Sequence, residues 1–185
     1  MKCTETTLPG VLIFEPRVFG DERGFFLETF NVEKYRQFGI TEDFVQDNLS
    51  FSGKGILRGL HYQKPKAQGK LVQVLQGEVL DVAVDIRRGS PTFGSWFSLV
   101  LSVENKKQLY VPPGFAHGFS VLSDTALFHY KCTDYYYPEG EQSIAWNDPE
   151  LGIDWMVENP SLSAKDSAAP RLAEIPADRL PEFRP

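Results

Sequence analysis

The sequence has few cysteines, no long apolar run and no signal-peptide pattern. Its two cysteines, Cys3 and Cys132, lack metal-ligand spacing and could form at most one disulfide, so we expect neither a disulfide framework nor a zinc site. No apolar run approaches the roughly 20 residues of a membrane-spanning helix. The N-terminal stretch MKCTETTLPGVLIFEP has neither an apolar core segment nor a small-residue cleavage site. We therefore expect a cytoplasmic protein that does not enter a membrane.

Positive charge is also in the minority. The chain has 19 Lys and Arg against 25 Asp and Glu, a net charge of −6, which argues against general affinity for nucleic acid. A local basic cluster that receives an anionic small molecule remains compatible with this charge. With 185 residues and 42% hydrophobic content, the chain is long enough for one well-buried domain and short for two. We expect a single domain over residues 1–185, with an N-terminal strand segment and a wrapping tail from about residue 159.

Short β-branched and aromatic runs, separated by Gly, Pro, Asn and Asp, dominate the chain. This pattern predicts an all-β protein, an antiparallel sandwich or barrel. The stretch KLVQVLQGEVLDVAVDI predicts a hairpin whose two strands, residues 71–75 and 79–86, are joined by a turn at residues 76–77. Further strands are predicted in WFSLVLSV, KQLYVPPG, GFSVLS and ALFHYKCT. Helix is predicted only over residues 32–39 and, more weakly, in PADRLPEF near the end.

Two stretches resemble the two sequence motifs of cupin barrels. The first cupin motif is Gly, five residues, His-x-His, a few residues, Glu, six residues and Gly, and the second is Pro-x-Gly-x-x-His. The positions that match are Gly55, His61, Lys70 and Gly77 for the first motif and Pro112, Gly114 and His117 for the second. The resemblance implies a cupin-type double-stranded β-helix, or jelly roll, with a few short helices.

The chemistry of these positions departs from that of metal-binding cupins. Gln63 replaces the second histidine of the first motif, and Lys70 replaces the glutamate after a lengthened spacer. A protonated lysine offers no lone pair and repels a divalent ion, whereas metal sites need deprotonated donors. Only His61 and His117 remain as metal-type ligands, so we expect a site that works without a metal.

A histidine, a lysine and a tyrosine in one barrel suit proton abstraction next to a carbonyl. A neutral imidazole, His61, is a suitable base near pH 7, and Lys70 can stabilise charge developing on a substrate oxygen. Strand alternation in FHYKC puts Tyr130 on the same face as Phe128, where it could donate a proton. Taken singly, His61 could be structural, Lys70 a solvated strand-edge charge and Tyr130 a core residue. Their combination on one framework favours catalysis.

The chain resembles the dTDP-4-dehydrorhamnose 3,5-epimerase family over nearly its whole length. The stretches that carry the resemblance are FEPRVFGDERGFFLETF, FVQDNLSFS, GILRGLHYQ, QGKLVQVLQGEVLDVAVDIRRGSPTFG, VPPGFAHGF, WNDPELGIDW and LSAKD. The resemblance implies a cofactor-free isomerase in which His61 is the base, Tyr130 the acid and Lys70 the group that stabilises an enolate on the sugar's 4-oxygen. It also implies that Asp166 bonds the imidazole of His61. From the residues alone, Asp166 reads as a solvated tail charge.

The resemblance further implies that the substrate is a dTDP-linked 4-keto-6-deoxy sugar. Arg23 and Arg58 match family positions that bind the diphosphate, for which arginine is suited because it can bind two oxygens at once. The other implied substrate contacts are Phe26 or Tyr136 for base stacking, Glu28, Gln46 and Asn48 for thymine and ribose, and His117, Glu141 and Lys165. From the residues alone, GDERG reads as a polar turn and Arg58 as an exposed strand residue.

Arg58 and His61 raise a geometric requirement. They are three residues apart, and hence on opposite faces of a flat strand, so if both reach one pocket the chain must bulge, most plausibly at Gly59.

The family resemblance also implies a homodimer, and LPGVLIFEPRVFG is a strand able to extend a neighbour's sheet, although its own barrel could also supply the partner. In such a dimer Arg23 could serve the partner's pocket.

Three alternative functions remain open at this point. An epimerase acting at only C3 or C5, in another dTDP-deoxysugar pathway, would need the same residue types. A non-catalytic sugar-nucleotide-binding cupin would keep Arg23 and Arg58 but would not need His61, Lys70 and Tyr130 together. The replacements at Gln63 and Lys70 argue against a metal-dependent cupin oxygenase.

Overall fold

A computed structural model describes residues 1–183, which contain thirteen strands and two short α-helices. The strands are β1 (Lys2–Glu5), β2 (Leu12–Glu15), β3 (Val18–Asp21), β4 (Gly24–Leu27), β5 (Gln46–Gly53), β6 (Leu57–Gln63), β7 (Lys70–Gln76), β8 (Glu78–Asp85), β9 (Trp96–Ser102), β10 (Gln108–Val111), β11 (Phe115–Val121), β12 (Thr125–Cys132) and β13 (Glu141–Ser143). The helices are α1 (Val32–Arg36) and α2 (Ala164–Ser167), and single 3-10 turns occupy Pro138–Gly140, Leu172–Glu174 and Ala177–Arg179. Within the described range, no helix has the length and apolar character needed to cross a bilayer.

Two antiparallel sheets pack face to face and form a jelly roll, which confirms the predicted fold class. One sheet has the order β1-β2-β10-β7-β12-β5 and the other the order β13-β6-β11-β8-β9, while β3 and β4 form a separate hairpin. Alternate side chains of both sheets point inward and bury one another, as strand alternation requires. The core between the sheets includes Val72, Val79, Leu101, Phe115 and Phe128.

The predicted hairpin of residues 71–86 is wrong, although both of its strands exist. β7 pairs with β10 and β12 in one sheet, whereas β8 pairs with β11 and β9 in the other. Gly77 between them has a φ of +77°, and a Cβ there would lie 2.0 Å from the carbonyl oxygen of Thr125. The turn therefore takes the chain across from one sheet to the other. Periodicity identified the strands but could not identify their partners.

The outer face of the five-stranded sheet is covered by the C-terminal tail. Leu80, Val82 and Val84 of β8 point away from the inter-sheet core and pack with tail residues such as Leu172 and Leu180. Both faces of β8 are therefore buried. The tail begins by pairing with the barrel, since the backbone N–H of Leu57 donates to the carbonyl of Ser161 at 3.0 Å. The helix predicted in PADRLPEF is limited to the 3-10 turn Ala177–Arg179.

The N-terminal segment supplies two strands of the six-stranded sheet of its own barrel. β2 pairs with β10 and with β1, so β1 forms the edge of that sheet. Helix α1 ends three residues earlier than the predicted residue 39 and buries Tyr35 against Phe14. Asn31 caps the helix by accepting hydrogen bonds from two backbone amides. Cys3 and Cys132 are both free thiols.

Candidate active site

A cavity of about 430 Å³ opens between the two sheets and collects most of the predicted catalytic side chains. The five-stranded sheet contributes Arg58 and His61 from β6 and His117 from β11, and the six-stranded sheet contributes Lys70 from β7 and Tyr130 from β12. The tail closes one side with α2. A neighbouring cavity of about 280 Å³ shares His61, Lys70 and Tyr130 with the first.

His61 is held by a carboxylate from the tail. Its Nε2 lies 2.6 Å from Oδ1 of Asp166, whose side chain is only 4% exposed against 28% for His61. The Ser163 hydroxyl accepts a hydrogen bond from the backbone N–H of Asp166, which fixes the start of α2. Burial opposes ionisation of Asp166, but the hydrogen bond and charge of His61 outweigh it and lower the pKa of the carboxyl. An ionised Asp166 orients the ring and leaves its other nitrogen free to accept a proton.

A bulge at Gly59 brings Arg58 and His61 into the same cavity, as predicted. His61 is opposite His117 on β11 and Arg58 is opposite Phe119, so two residues of β6 face the single residue Gly118. Gly59 has a φ of +118°, and a Cβ on it would lie 2.6 Å from the Cα of Gly118. Only glycine allows this close approach of the two backbones.

Burial changes the pKa of both Lys70 and Tyr130. Loss of hydration lowers the pKa of Lys70, although Cys132, Asp81 and Glu141 oppose this by favouring the charged form. Burial, aided by Cys132, raises the pKa of Tyr130 to about 12 against the opposing charge of Arg58. Tyr130 is therefore a neutral hydroxyl at ordinary pH and can donate a proton. The Lys70 ammonium lies 5.9 Å from the centroid of the Tyr130 ring.

The neighbouring cavity holds several of the predicted nucleotide-binding residues. Gln46, Asn48, Tyr136 and Glu141 line it. The Tyr136 hydroxyl donates to Glu141 at 2.9 Å, and the Lys165 ammonium lies 2.6 Å from the same carboxylate. Burial opposes ionisation of Glu141, but these two contacts outweigh it and lower its pKa. The Lys165–Glu141 ion pair ties α2 to β13 of the barrel.

Three predicted substrate contacts lie outside both cavities. Arg23 lies in the turn of the β3–β4 hairpin, Phe26 lies on β4 and Glu28 directly follows β4. All three side chains are exposed. Arg23 is paired with Asp21 and its side chain is 85% exposed, while Glu28 binds Lys34 at 2.6 Å. Phe26 is 69% exposed. Within one chain, the structure therefore does not bring these residues to His61.

Gln63, at a position where cupins carry a metal ligand, is used differently here. Its side-chain amide donates to the carbonyl of Tyr135 and its oxygen accepts from the backbone N–H of Tyr137. Gln63 thus holds the loop after β12. Across residues 1–183, His, Cys, Asp and Glu side chains form no group of three or more that could hold a metal ion.

Sequence reasoning missed Asp81, a fully buried carboxylate on β8. Both of its oxygens lie within hydrogen-bond distance of His117 Nε2, at 3.0 and 2.9 Å. The available signal was the aspartate inside the otherwise apolar run VLDVAV, because a carboxylate at an inward position needs a partner.

Comparisons with known proteins agree along the whole chain. A family model described as dTDP-4-dehydrorhamnose 3,5-epimerase matches residues 5–174. A protein of that name from Pseudomonas aeruginosa is 56% identical over 183 residues, covering 98% of this chain and 100% of the relative. The crystal structure of dTDP-6-deoxy-D-glucose-3,5-epimerase RmlC from Legionella pneumophila, in complex with dTDP-4-keto-L-rhamnose, is 56% identical with a TM-score of 0.98 and covers 100% of this chain and 99% of that one.

A second kind of epimerase is also similar. ChmJ, a 3'-monoepimerase from Streptomyces bikiniensis whose structure is in complex with dTDP-quinovose, is 38% identical with a TM-score of 0.88. The match covers 96% of this chain and 91% of ChmJ. The fold is therefore shared by enzymes that differ in the number of carbons they invert.

Proposed function

The chain belongs to the dTDP-4-dehydrorhamnose 3,5-epimerase family, and on that premise we propose that His61 and Tyr130 move the protons of the reaction. The protein is an isomerase of dTDP-L-rhamnose biosynthesis that converts dTDP-4-dehydro-6-deoxy-D-glucose to dTDP-4-dehydro-L-rhamnose. The ketone at C4 makes the C–H bonds at C3 and C5 acidic, because the electron pair left by the proton is delocalised onto the 4-oxygen. One base and one acid can then invert both centres in turn.

Each inversion removes one proton from a carbon and returns one proton to the same carbon. His61 takes the proton from C3 or C5, and the C–H electron pair forms an enolate whose oxygen is stabilised by the Lys70 ammonium. The Tyr130 hydroxyl then donates its proton to the same carbon from the other side. Each inversion leaves His61 with one more proton and Tyr130 with one fewer, and exchange with solvent restores both before the next inversion.

One observation supports this proposal most directly: His61 and Tyr130 belong to different sheets. His61 lies on β6 and Tyr130 on β12, and a sugar ring held in the cavity between the sheets has one of them on each side. Removal of a proton on one side and delivery on the other is what inversion requires. The contact between His61 and Asp166 and the raised pKa of Tyr130 support the same roles.

The test is incubation with the 4-keto sugar nucleotide in D2O, followed by NMR of the carbons that exchange. Deuterium at both C3 and C5, with inverted product, supports the proposal. Exchange at C3 alone would instead favour a monoepimerase, the second candidate, which the similarity to ChmJ makes specific. A bound ligand without any exchange would indicate a non-catalytic binding protein.

The protein binds a dTDP-linked sugar, and we propose that Arg58, Gln46 and Asn48 contact its nucleotide half. Asn48 and Gln46 lie in the cavity beside the reacting groups, and Arg58 lies next to His61 in the larger one. A guanidinium suits a diphosphate because it can bind two oxygens in one plane. Glu141, Lys165 and His117 are proposed as further contacts from the cavity walls.

We also propose that the protein is a homodimer in which the β3–β4 hairpin completes the partner's site. The hairpin carries Arg23 and Phe26 away from the cavity of its own chain. Large apolar side chains are exposed on the hairpin itself (Phe19 and Phe25), on β5 (Leu49 and Phe51) and on β7 (Leu75). Large exposed apolar patches mark contact surfaces in soluble proteins. The single-domain organisation and the cytoplasmic location stay predictions.

A further inference from the structure

Two histidine–carboxylate pairs lie side by side in the cavity. His61 and His117 are directly opposite each other on β6 and β11, and side chains of opposite residues share a face of the sheet. Asp166 from the tail holds His61, and Asp81 from β8 holds His117. The proposed mechanism uses the first pair, whereas His117 has so far been proposed only as a substrate contact and Asp81 has no stated role.

Asp81 is buried deep in the barrel. It is 0% exposed and lies between the inward-facing core residues Val79 and Ala83 of the same strand. His117 is the only hydrogen-bond partner of its carboxylate within residues 1–183. A carboxylate in such surroundings is costly unless it is paired, so its presence beside His61, Lys70 and Tyr130 calls for a reason.

The pairing decides which nitrogen of His117 faces the cavity. Asp81 accepts the Nε2–H, which leaves Nδ1 as a lone-pair acceptor on the neutral ring. Nδ1 has no partner within the described range and is not among its buried unpaired polar atoms, so it is open to the cavity that His117 lines. Phe128 stacks on the ring with centroids 6.2 Å apart and helps to keep it in place.

We propose that Asp81 is a positioning residue that fixes the Nε2–H tautomer of His117, so that Nδ1 accepts a hydrogen bond from a pyranose hydroxyl of the bound sugar. The adjacent position of His61 assigns this contact to the sugar and not to the nucleotide. Because that location follows from the role of His61, the inference rests on the proposed function. Asp81 itself does not touch the substrate.

The groups that face His117 come from every strand around it. They are His61 and Arg58 on β6, Lys70 on β7, Tyr130 on β12 and, from the tail, Asp166 and Lys165, which line the same cavity, together with Asp81 on β8, which contacts His117 directly. Arg58, Lys70 and Lys165 carry only donors and cannot accept a hydrogen bond from a hydroxyl. In the Nε2–H tautomer held by Asp81, Nδ1 of His117 supplies the acceptor that these cations cannot.

The test compares Asp81→Asn with Asp85→Asn by binding and by NMR. Asp85 is a matched control because it is a fully buried carboxylate of the same strand, bound instead by Arg87, Ser90 and Thr92. Binding is measured in a His61→Ala background, so the result does not depend on turnover. We expect Asp81→Asn to weaken binding of the sugar nucleotide about tenfold, as for the loss of one hydrogen bond, while leaving the affinity for dTDP unchanged.

The NMR readout is the nitrogen spectrum of His117 in the chain with intact His61. The unaltered chain should show the Nε2–H tautomer, and Asp81→Asn should populate the Nδ1–H form. An unchanged tautomer, or an equal loss of affinity for dTDP and the sugar nucleotide, would overturn the inference. The D2O experiment could show no catalysis while the NMR spectra still show that the tautomer of His117 depends on Asp81. In that case the proposed function would be wrong, and the placement of His117 by Asp81 would stand.

A double variant covers the case in which Asp81→Asn does not fold. His117→Phe keeps a ring but removes the acceptor, and combined with Asp81→Asn it leaves no unpaired buried charge. If Asp81 acts through His117, the double variant should bind the sugar nucleotide as His117→Phe does. A further loss of affinity in the double variant would show that Asp81 acts by another route.

Discussion

His61 and Tyr130 lie on opposite sheets of the barrel and line one cavity between them. A planar enolate held there would have His61 on one side and Tyr130 on the other. If His61 is the proton acceptor and Tyr130 the donor, as proposed, the two residues should have separable effects on exchange and on inversion.

Replacing these two residues should separate the half-reactions. His61→Ala should stop both deuterium exchange and epimerisation, with a loss of about 10²–10⁴-fold, because removing a positioned base has that effect. In Tyr130→Phe the enolate can still form, so deuterium should enter from the His61 side with retention while inverted product falls. NMR in D2O measures both. Equal losses of exchange and inversion in Tyr130→Phe would contradict the role of Tyr130 as the donor.

Deprotonation of Lys70 should determine the pH above which kcat falls. Its pKa is lowered by burial, so the ammonium loses its proton below the ordinary lysine value of about 10.4, whereas the pKa of Tyr130 is raised to about 12. We expect kcat to fall as pH rises through the lowered pKa of Lys70. In Lys70→Arg the residual activity should keep its value to higher pH, because a guanidinium stays charged. If kcat of Lys70→Arg falls at the same pH as kcat of the unaltered chain, the fall belongs to another group.

Activity should survive chelation. Gln63 and Lys70 replace two metal ligands of the cupin pattern, and Gln63 is already engaged with the loop after β12. Dialysis against a strong chelator should leave kcat unchanged, and elemental analysis should find no stoichiometric metal. One equivalent of bound iron, zinc or manganese whose removal abolishes turnover would contradict this prediction.

Mixed dimers should show whether sites are shared. If the hairpin of one subunit completes the partner's site, mixing Arg23→Ala with His61→Ala chains restores one intact site in each hybrid dimer. If subunits exchange at random, about half of the dimers are hybrids with one intact site of two. The mixture should then have about a quarter of the unaltered activity, measured at low substrate concentration. Lys70→Met mixed with His61→Ala is the control, because both residues belong to one cavity and no hybrid site is intact. No recovery with Arg23→Ala, or a monomer in sedimentation at micromolar concentration, would contradict a shared site.

The sequence predicted strands and the bulge better than it predicted pairing. Gly59 was identified because Arg58 and His61 had to reach one pocket across an odd number of residues. The pairing of β7 and β8 was wrong because alternation of apolar residues describes the faces of a strand and carries no information about its neighbours. Only the complete sheet shows that Gly77 takes the chain from one layer to the other.

The carboxylates that bind the two histidines also differ in how far the sequence predicts them. Asp166 stands in a polar tail, where nothing local distinguishes it from a solvated charge, and only the family resemblance connected it with His61. Asp81 stands in an apolar strand, where its burial could have been inferred from alternation. In both cases the contact joins residues distant in sequence, and the fold alone brings them together.

Asp166 and Lys165 reach the cavity only when the tail has docked along the barrel, beginning with the pairing of Ser161 and Leu57. During synthesis the strands that hold His61, Lys70 and Tyr130 leave the ribosome well before this segment does. A nascent chain could thus assemble both sheets while His61 still lacks the carboxylate that orients it. We therefore expect epimerase activity to be acquired late, so that the appearance of turnover should mark the completion of folding more sharply than the appearance of β-structure does.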